Sequence, residues 1–296
     1  MTFLFPVMMK IALFGNRNFQ PNGGQIVGLL VWLKDTFNAE FVIEPGFKSF
    51  LGNVSEDFAA SSDDVAGEVS GSKLALSFGG DGGLMRAAKW VVGTNVPIMG
   101  INTGHLGYLT SSTLDGAKEN LTQFFAGHWR PDVRSLLQVK WDGLETPLVA
   151  LNEIAILRQD TSSMLNMKAM INDAPLTTYQ GDGLVICTPS GSTAYNLSAG
   201  GPIMAPATPS IGITPISPHS LTMRPLVIPD SESISVVTHS RAEQYQVSVD
   251  GNTWLRPNGT LIVVSKATET LTLVQPQNHN FANTLRNKLL WGTPRK

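Results

Sequence analysis

The apolar run Lys73-Leu-Ala-Leu-Ser-Phe78 ends in Gly79-Gly80-Asp81-Gly82-Gly83, and Leu84-Met-Arg-Ala-Ala-Lys-Trp-Val-Val92 follows at helical spacing. A strand that breaks into bare backbone and then enters a helix commits the chain to a strand–turn–helix unit. It also aims unpaired N–H groups and the positive helix end at one point. A phosphate suits such a point. Asp81 would repel a phosphate, so two roles are open to it: a base that takes a proton from an attacking hydroxyl, or an anchor for a phosphate-bound metal. A purely conformational reading competes, because tight turns use glycine wherever φ is positive. The loop is not a Walker P-loop, since no Lys-Ser/Thr follows it. Nor is it Gly-x-Gly-x-x-Gly, since position 85 is Met.

Around this unit, strands and helices alternate. Residues 9–15 read as a strand, 20–37 as an amphipathic helix (Ile26, Leu29, Leu30, Leu33, Phe37), and 40–43 as a short strand. The polar, acidic stretch from Asn53 to Ser72 reads as a long mobile loop. The 73–78 strand, the glycine loop and its helix come next, then a strand over Val96–Ile101 and a helix ending near Gly127. Such alternation predicts a parallel sheet with crossovers, a Rossmann-like α/β domain over 9–128. A phosphate loop at the carboxyl end of a strand fits where these sheets bind ligands.

After Trp129-Arg-Pro131 the pattern changes. Strand-like runs dominate at Leu136–Trp141, Leu148–Leu157, Asn166–Ile171, Leu184–Thr188, Ser233–Thr238, Gln244–Asp250, Thr260–Val264 and Thr270–Val274, with turn residues between them. An all-β domain over 129–277 follows. The tail 281–291 returns to helical spacing. No internal repeat is visible.

Composition bounds the function. The chain has 296 residues, 42% of them apolar, enough for one large or two medium cores. Only 15% are charged and the net charge is −2, so there is no basic field for nucleic acid or an anionic membrane. Cys187, the single cysteine, excludes an internal disulfide framework and sits in an apolar run as a buried thiol. The five histidines show no zinc-ligand spacing. The first eight residues read as an extension, carrying a proline and no basic region, and fail as a signal peptide. No apolar run approaches the ~18 residues of a membrane span. A soluble, cytoplasmic protein is expected.

A second signature narrows the chemistry. Thr188-Pro-Ser-Gly-Ser-Thr-Ala-Tyr-Asn-Leu-Ser-Ala-Gly-Gly-Pro202 gathers hydroxyls, an aromatic ring and turn residues. Tyr179-Gln-Gly-Asp-Gly-Leu184 stands before it, and Leu151-Asn-Glu-Ile154 earlier. Together with Gly-Gly-Asp-Gly, this set resembles the NAD kinase family. The resemblance continues through Pro218-His-Ser-Leu-Thr-Met-Arg-Pro-Leu226, Val249-Asp-Gly251 and Phe281-Ala-Asn-Thr-Leu-Arg-Asn-Lys-Leu-Leu-Trp291. Beginning at Met9, it spans nearly the whole chain in the family's order.

The resemblance implies a fold of the NAD kinase/diacylglycerol kinase type, with a sandwich-like β domain and a tail, 278–296, that returns to the first domain. It implies transfer of the γ-phosphoryl group of ATP to the 2′-hydroxyl of the adenosine ribose of NAD, giving NADP. Mg²⁺ accompanies the triphosphate, and the assembly is a homo-oligomer, dimer or tetramer. Asp81 is the implied catalytic residue, with Gly79, Gly80, Gly82 and Gly83 around the phosphates. Arg86, one turn into the helix, either reaches a phosphate or is a solvated helix arginine. Asn152 and Glu153 correspond to an amide and a carboxylate that contact the dinucleotide. Asp182 corresponds to a carboxylate that contacts NAD, often across a subunit interface. Ser192, Thr193, Ala194, Tyr195 and Ser198 lie in the hydroxyl-rich segment, where the Tyr195 ring either stacks on the ligand or packs in the core. His219 lines the nicotinamide side or is a buried hydrogen-bonded histidine, and Asn252 follows Asp-Gly at a further binding position.

Three positions depart from the family pattern. Gly83 stands where Thr is usual, His105 where Arg is common, and Ser190 where Thr is usual, the last keeping its hydroxyl. Two other functions share part of the pattern. A lipid kinase of the diacylglycerol or sphingosine kinase type has the Gly-Gly-Asp-Gly loop, but not the Asn-Glu and Thr-Ala-Tyr motifs. A non-catalytic NAD(P)-binding sensor would keep the site without turnover. Donor range (ATP or polyphosphate), NAD versus NADH preference and feedback leave no mark in the sequence.

Overall fold

The computed structural model describes residues 8–16, 22–58, 69–104, 107–160 and 164–289. The chain divides into two compact units, Met1–Val133 with Leu271–Lys296, and Arg134–Thr270.

In the first unit, β1 (Met9–Phe14), β2 (Ala39–Ile43), β3 (Leu74–Phe78), β4 (Ile98–Asn102) and β5 (Ser112–Thr113) pair in parallel. The order β4–β3–β1–β2 places the glycine loop at the carboxyl end of an inner strand. Every residue of β3 and β4 is buried, as a parallel sheet covered on both faces requires. The helix Gly23–Phe37 lays Ile26, Leu30 and Leu33 on this sheet, where they join Ile11, Leu13 and Phe78 in one core.

The stretch expected as a long loop is partly structured. A helix over Pro45–Val54 enters it, capped by the Glu44 carboxylate accepting from Phe47 N–H at 2.8 Å, with Pro45 in the first turn. Short 3₁₀ turns, Glu56–Phe58 and Val69–Gly71, bury Phe58 and Val69. Residues 59–68 lie outside the described part. The cap eluded the sequence reading because Glu is a less usual N-cap than Ser, Thr, Asp or Asn.

The second unit is a two-sheet β structure, built from β6 (Arg130–Lys140), β7 (Leu148–Ala150), β8 (Glu153–Leu157), β9 (Leu165–Ile171), β10 (Ala174–Gly181), β11 (Gly183–Cys187), β12 (Ser210–Ile216), β13 (Leu226–Pro229), β14 (Ile234–His239), β15 (Gln244–Val249), β16 (Asn252–Pro257) and β17 (Leu261–Gln275). One sheet runs β13–β12–β11–β8–β15–β16, antiparallel throughout. The other joins β10, β9, β14 and the first part of β17. Ile154, Ile186 and Val247 of one sheet share a core with Met167, Val236 and Ile262 of the other, the arrangement of a sandwich. Cys187 is fully buried in β11, and burial first, then the nearby Glu153 charge, pushes its thiol up to about 12.

Sequence patterning missed β10, β12, β13 and β16, where Gly and Pro interrupt the alternation. It also merged β7 with β8, and the break between them, at Leu151–Asn152, carries site residues. The 260–264 and 270–274 runs are one strand, β17, whose last residues belong to the first unit and pair with β4 at Leu273–Ile98. The tail helix spans Phe281–Leu289. The rest of the expected tail, including Trp291, lies outside the described residues. Among the described residues no helix is long and apolar enough to cross a membrane.

Candidate active site

The glycine loop has the expected shape but a different internal logic. Gly79 has φ 134°, a conformation that favours glycine, and its N–H donates to the Ile101 carbonyl at 3.0 Å. The helix starts at Asp81, with Gly80 as N-cap at φ −91° and no side-chain cap. A Cβ added at Gly80 or Gly82 would meet nothing within 4 Å, and at Gly83 only ordinary contacts. The fold therefore requires glycine at 79 and at none of positions 80, 82 and 83. Glycine inside a helix costs about 0.5–1 kcal/mol relative to alanine.

Asp81 is not uncrowded, as the glycines around it suggest, but locked. Its Oδ2 accepts from Tyr108 N–H at 2.6 Å, and its Oδ1 from Leu109 and Thr110 N–H at 3.0 and 3.3 Å. A Cβ at Gly107 would collide with this carboxylate, which fixes glycine there. The buried Asn102 completes the brace: its Nδ2 donates to Thr110 Oγ1 at 3.1 Å, and Thr110 Oγ1 also accepts from Gly107 N–H at 2.9 Å. Arg86 is exposed on the helix. His105 lies outside the described residues.

In the second unit, a second loop is held by a second aspartate. Asp250 Oδ2 accepts from Leu151 N–H at 2.7 Å, and its Oδ1 from Asn152 and Glu153 N–H at 2.9 and 3.1 Å. Asp250 adopts φ 46° between β15 and β16. Thr188 braces the same loop, its N–H donating to the Asn152 carbonyl at 2.9 Å and its hydroxyl to the Leu151 carbonyl at 2.6 Å. A Cβ at Gly191 would collide with the Asn152 carbonyl, so the Thr-Pro-Ser-Gly turn lies directly on Asn152.

Glu153 sits in this packing with Oε2 buried and unpartnered. Burial first, then the Asp250 charge, pushes its carboxyl up to about 7, against a Tyr195 backbone N–H that donates to it. Asn152, Glu153, Ser192, Thr193, Ala194 and Tyr195 thus form one cluster. Tyr195 is exposed on a one-turn helix, not packed in the core, and Ser198 is exposed just after it. Ser192 is fully buried, bonded to Pro189 and Met204, and serves the turn itself. Ser190 accepts from the buried Arg134 at 2.8 Å. Asn252 is exposed beside Asp250, its Nδ2 donating to the Val249 carbonyl at 3.3 Å.

Asp182 and His219 lie elsewhere. They flank a corner where His219 N–H donates to Gln180 and Asp182 N–H to Ile216, and Asp182 pairs with Arg158 at 2.9 Å. His219 is exposed, not buried. The length of β11 separates this corner from Thr188–Tyr195, about 16 Å for five extended residues. Sequence reasoning overlooked Asp250, Thr188, Asn102 and the 107–110 loop. Asp250 and Thr188 stand inside the motifs Val249-Asp-Gly251 and Thr188–Pro202 that carry the resemblance, but nothing local in those motifs shows that they hold the 151–153 loop.

The first unit thus carries a glycine-opened helix on a parallel sheet, and the second is a β sandwich bearing a polar, aromatic cluster. The solved structure of a yeast NADH kinase complexed with NADH superimposes with a TM-score of 0.87 at 22% identity, covering 98% of this chain and 89% of that one. An NAD kinase from Archaeoglobus fulgidus in complex with ATP gives 0.72 at 22%, covering 95% and 97%. In sequence, residues 45–129 match the ATP-NAD kinase N-terminal domain and 151–275 the ATP-NAD kinase C-terminal domain, leaving 276–289 outside both. The NAD kinase of Porphyromonas gingivalis is 40% identical over 96% of this chain and 99% of that protein, and that of Bacteroides fragilis 39% over 96% and 98%. The chain belongs to the NAD kinase family.

Proposed function

We propose that this protein transfers the γ-phosphoryl group of ATP to the 2′-hydroxyl of the adenosine ribose of NAD, forming NADP and ADP. The observation that carries the reading is Asp81, held by three N–H groups at the start of a helix whose glycines the fold does not need. The ribose 2′-oxygen forms a bond to the γ-phosphorus, the bond to the β,γ-bridging oxygen breaks, and the hydroxyl proton passes to the Asp81 carboxylate. The backbone N–H groups of Gly80, Asp81 and Gly82 open the helix and hold phosphate oxygens. Asn152, Glu153 and Tyr195 recognise the dinucleotide, with the Tyr195 ring free to stack.

Among the described residues no three His, Cys, Asp or Glu stand together to cage a metal. A Mg²⁺ carried on the triphosphate needs only one or two protein carboxylates, and Asp81 fits that role. Bound there, it would neutralise phosphate charge. A homo-oligomer, dimer or tetramer, in which Asp182 serves a neighbouring subunit's ligand, is proposed from the family resemblance at Asp182. Light scattering showing a fully active strict monomer at micromolar concentration would sink that assembly. A cytoplasmic location is proposed with the ATP and NAD pools it would draw on.

Pure protein incubated with ATP, Mg²⁺ and NAD should form NADP. Phosphorylation of diacylglycerol or sphingosine in place of NAD would favour a lipid kinase, and NAD binding without turnover a sensor. The family match weighs against both.

A further inference from the structure

The tail helix Phe281–Leu289 borders a cavity of about 200 Å³, lined by Tyr108, Thr110, Asn280, Asn283 and Lys288 among others. Two polar atoms in its lining, Tyr108 Oη and Lys288 Nζ, are buried without a hydrogen-bond partner among the described residues. A buried donor left unmade costs about 1–3 kcal/mol, and more when charged. Such pairs call for an occupant from outside the chain.

The remaining polar groups tell what kind. Thr110 Oγ1 already accepts from Asn102 and Gly107, which leaves its own hydrogen to give. Asn280 Oδ1 accepts from Ala282 N–H at 2.8 Å and Asn283 Oδ1 from Arg286, so each amide has its NH₂ to offer. Lysine has three donors and no acceptor. Ser111 and Thr284 spend their hydroxyl hydrogens on the Val274 and Asn280 carbonyls, so the donors on offer come from Thr110, Asn280 and Asn283, and around one cation they suit an oxyanion. Asp81 does not line the cavity itself, but its oxygens accept from the N–H groups of Tyr108 and Thr110, which do. Burial lowers the Lys288 pKa while the Asp81 charge raises it, and burial and then Asp81 raise that of Tyr108. The volume is below the roughly 300 Å³ at which sites begin to enclose a whole drug-sized ligand, so it suits phosphate groups and not an entire nucleotide.

We propose that this cavity is a phosphate site, in which Lys288 Nζ and Tyr108 Oη hold outer phosphate oxygens of the triphosphate donor beside Asp81. The assignment to the donor rests on the kinase reading above; the phosphate chemistry does not. It gives the tail helix, which lies beyond both family matches, a part in donor binding.

The test titrates the full chain with inorganic tripolyphosphate, with a non-hydrolysable ATP analogue and with NAD by calorimetry. Lys288→Met should weaken the first two about tenfold or more, the loss of one charge-assisted contact, and leave NAD within twofold. Tyr108→Phe should cost about threefold on the same two ligands, and Lys288→Arg should recover part of the loss. Unchanged binding of both phosphate ligands to Lys288→Met overturns the site. Lys288-dependent binding of tripolyphosphate without binding of the analogue overturns the donor assignment and leaves a free-phosphate site. Wild type that makes no NADP, yet binds tripolyphosphate through Lys288, overturns the kinase reading and not this one. Should Lys288→Met not fold, Lys288→Gln, which removes the charge and keeps a polar end, decides: it should weaken tripolyphosphate about tenfold, and binding equal to wild type sinks the proposal.

Discussion

The two units use one device for two ends. In each, an aspartate accepts three consecutive backbone N–H groups, Oδ2 taking the first and Oδ1 the next two. Asp81 does so for Tyr108–Thr110 and Asp250 for Leu151–Glu153, with contacts of 2.6–3.3 Å and 2.7–3.1 Å. The surroundings then separate them. Asp81 opens a helix whose Gly80 and Gly82 have open space beside their backbone, whereas Asp250 is tucked in a hairpin turn against the half-buried Glu153. Holding a loop is thus common to both carboxylates, and only the helix end at Asp81 suits chemistry. A motif aspartate is not a base merely by belonging to the motif.

The sharpest way to break this contrast is to make the same substitution at both aspartates. Asp81→Asn should lower NADP formation by roughly 10²–10⁴ while the folded variant still binds NAD. Raising the pH should not restore the rate, because the amide cannot ionise. Turnover within threefold of wild type would reduce Asp81 to a loop anchor like Asp250. Asp250→Asn should instead raise KM for NAD by about ten- to a hundredfold, worth ~1–3 kcal/mol, with a smaller effect on ATP. Asn152→Ala and Tyr195→Ala should show the same bias toward NAD, and an equal loss for both substrates would point to damaged folding.

Glu153 carries a smaller effect, readable in stability. Between the ordinary carboxyl value of 4.5 and about 7, the folded chain holds a proton that the unfolded chain has released. Stability therefore falls as pH rises through that window and stays lower above it, by up to about 3 kcal/mol. Glu153→Gln cannot ionise and should lose this dependence, so thermal melts at pH 5 and pH 8 should differ less than in wild type. An identical slope in both proteins would place the raised carboxyl elsewhere.

The smallest effect has opposite signs on stability and activity. Gly82→Ala meets no atom within 4 Å, so it should stabilise the fold by about 0.5–1 kcal/mol. If phosphate approaches the bare backbone there, kcat/KM for ATP should fall at the same time. A variant both more stable and fully active would remove the reason for glycine at 82.

Much was legible in the chain itself. The strand, the glycine loop and the amphipathic helix over Gly23–Phe37 follow from local spacing, because side-chain period and turn residues act within a few positions. The shift from alternating strands and helices to strands alone marked a change of fold class near Pro131. What remained illegible was non-local. Asp250 reaches across 99 residues to Leu151, and no short pattern encodes such a closure. The same holds for Asp81 and the loop 27 residues beyond it.

The sequence by itself determined which groups could do chemistry and the order in which strands and helices present them. Tertiary structure decided which carboxylate opens a helix, which carboxyl is desolvated enough to hold its proton near neutrality, and which lysine of the tail helix reaches the cavity beside Tyr108. Those properties depend on burial, field and hydrogen-bond geometry, and these arise only when distant segments close on one another.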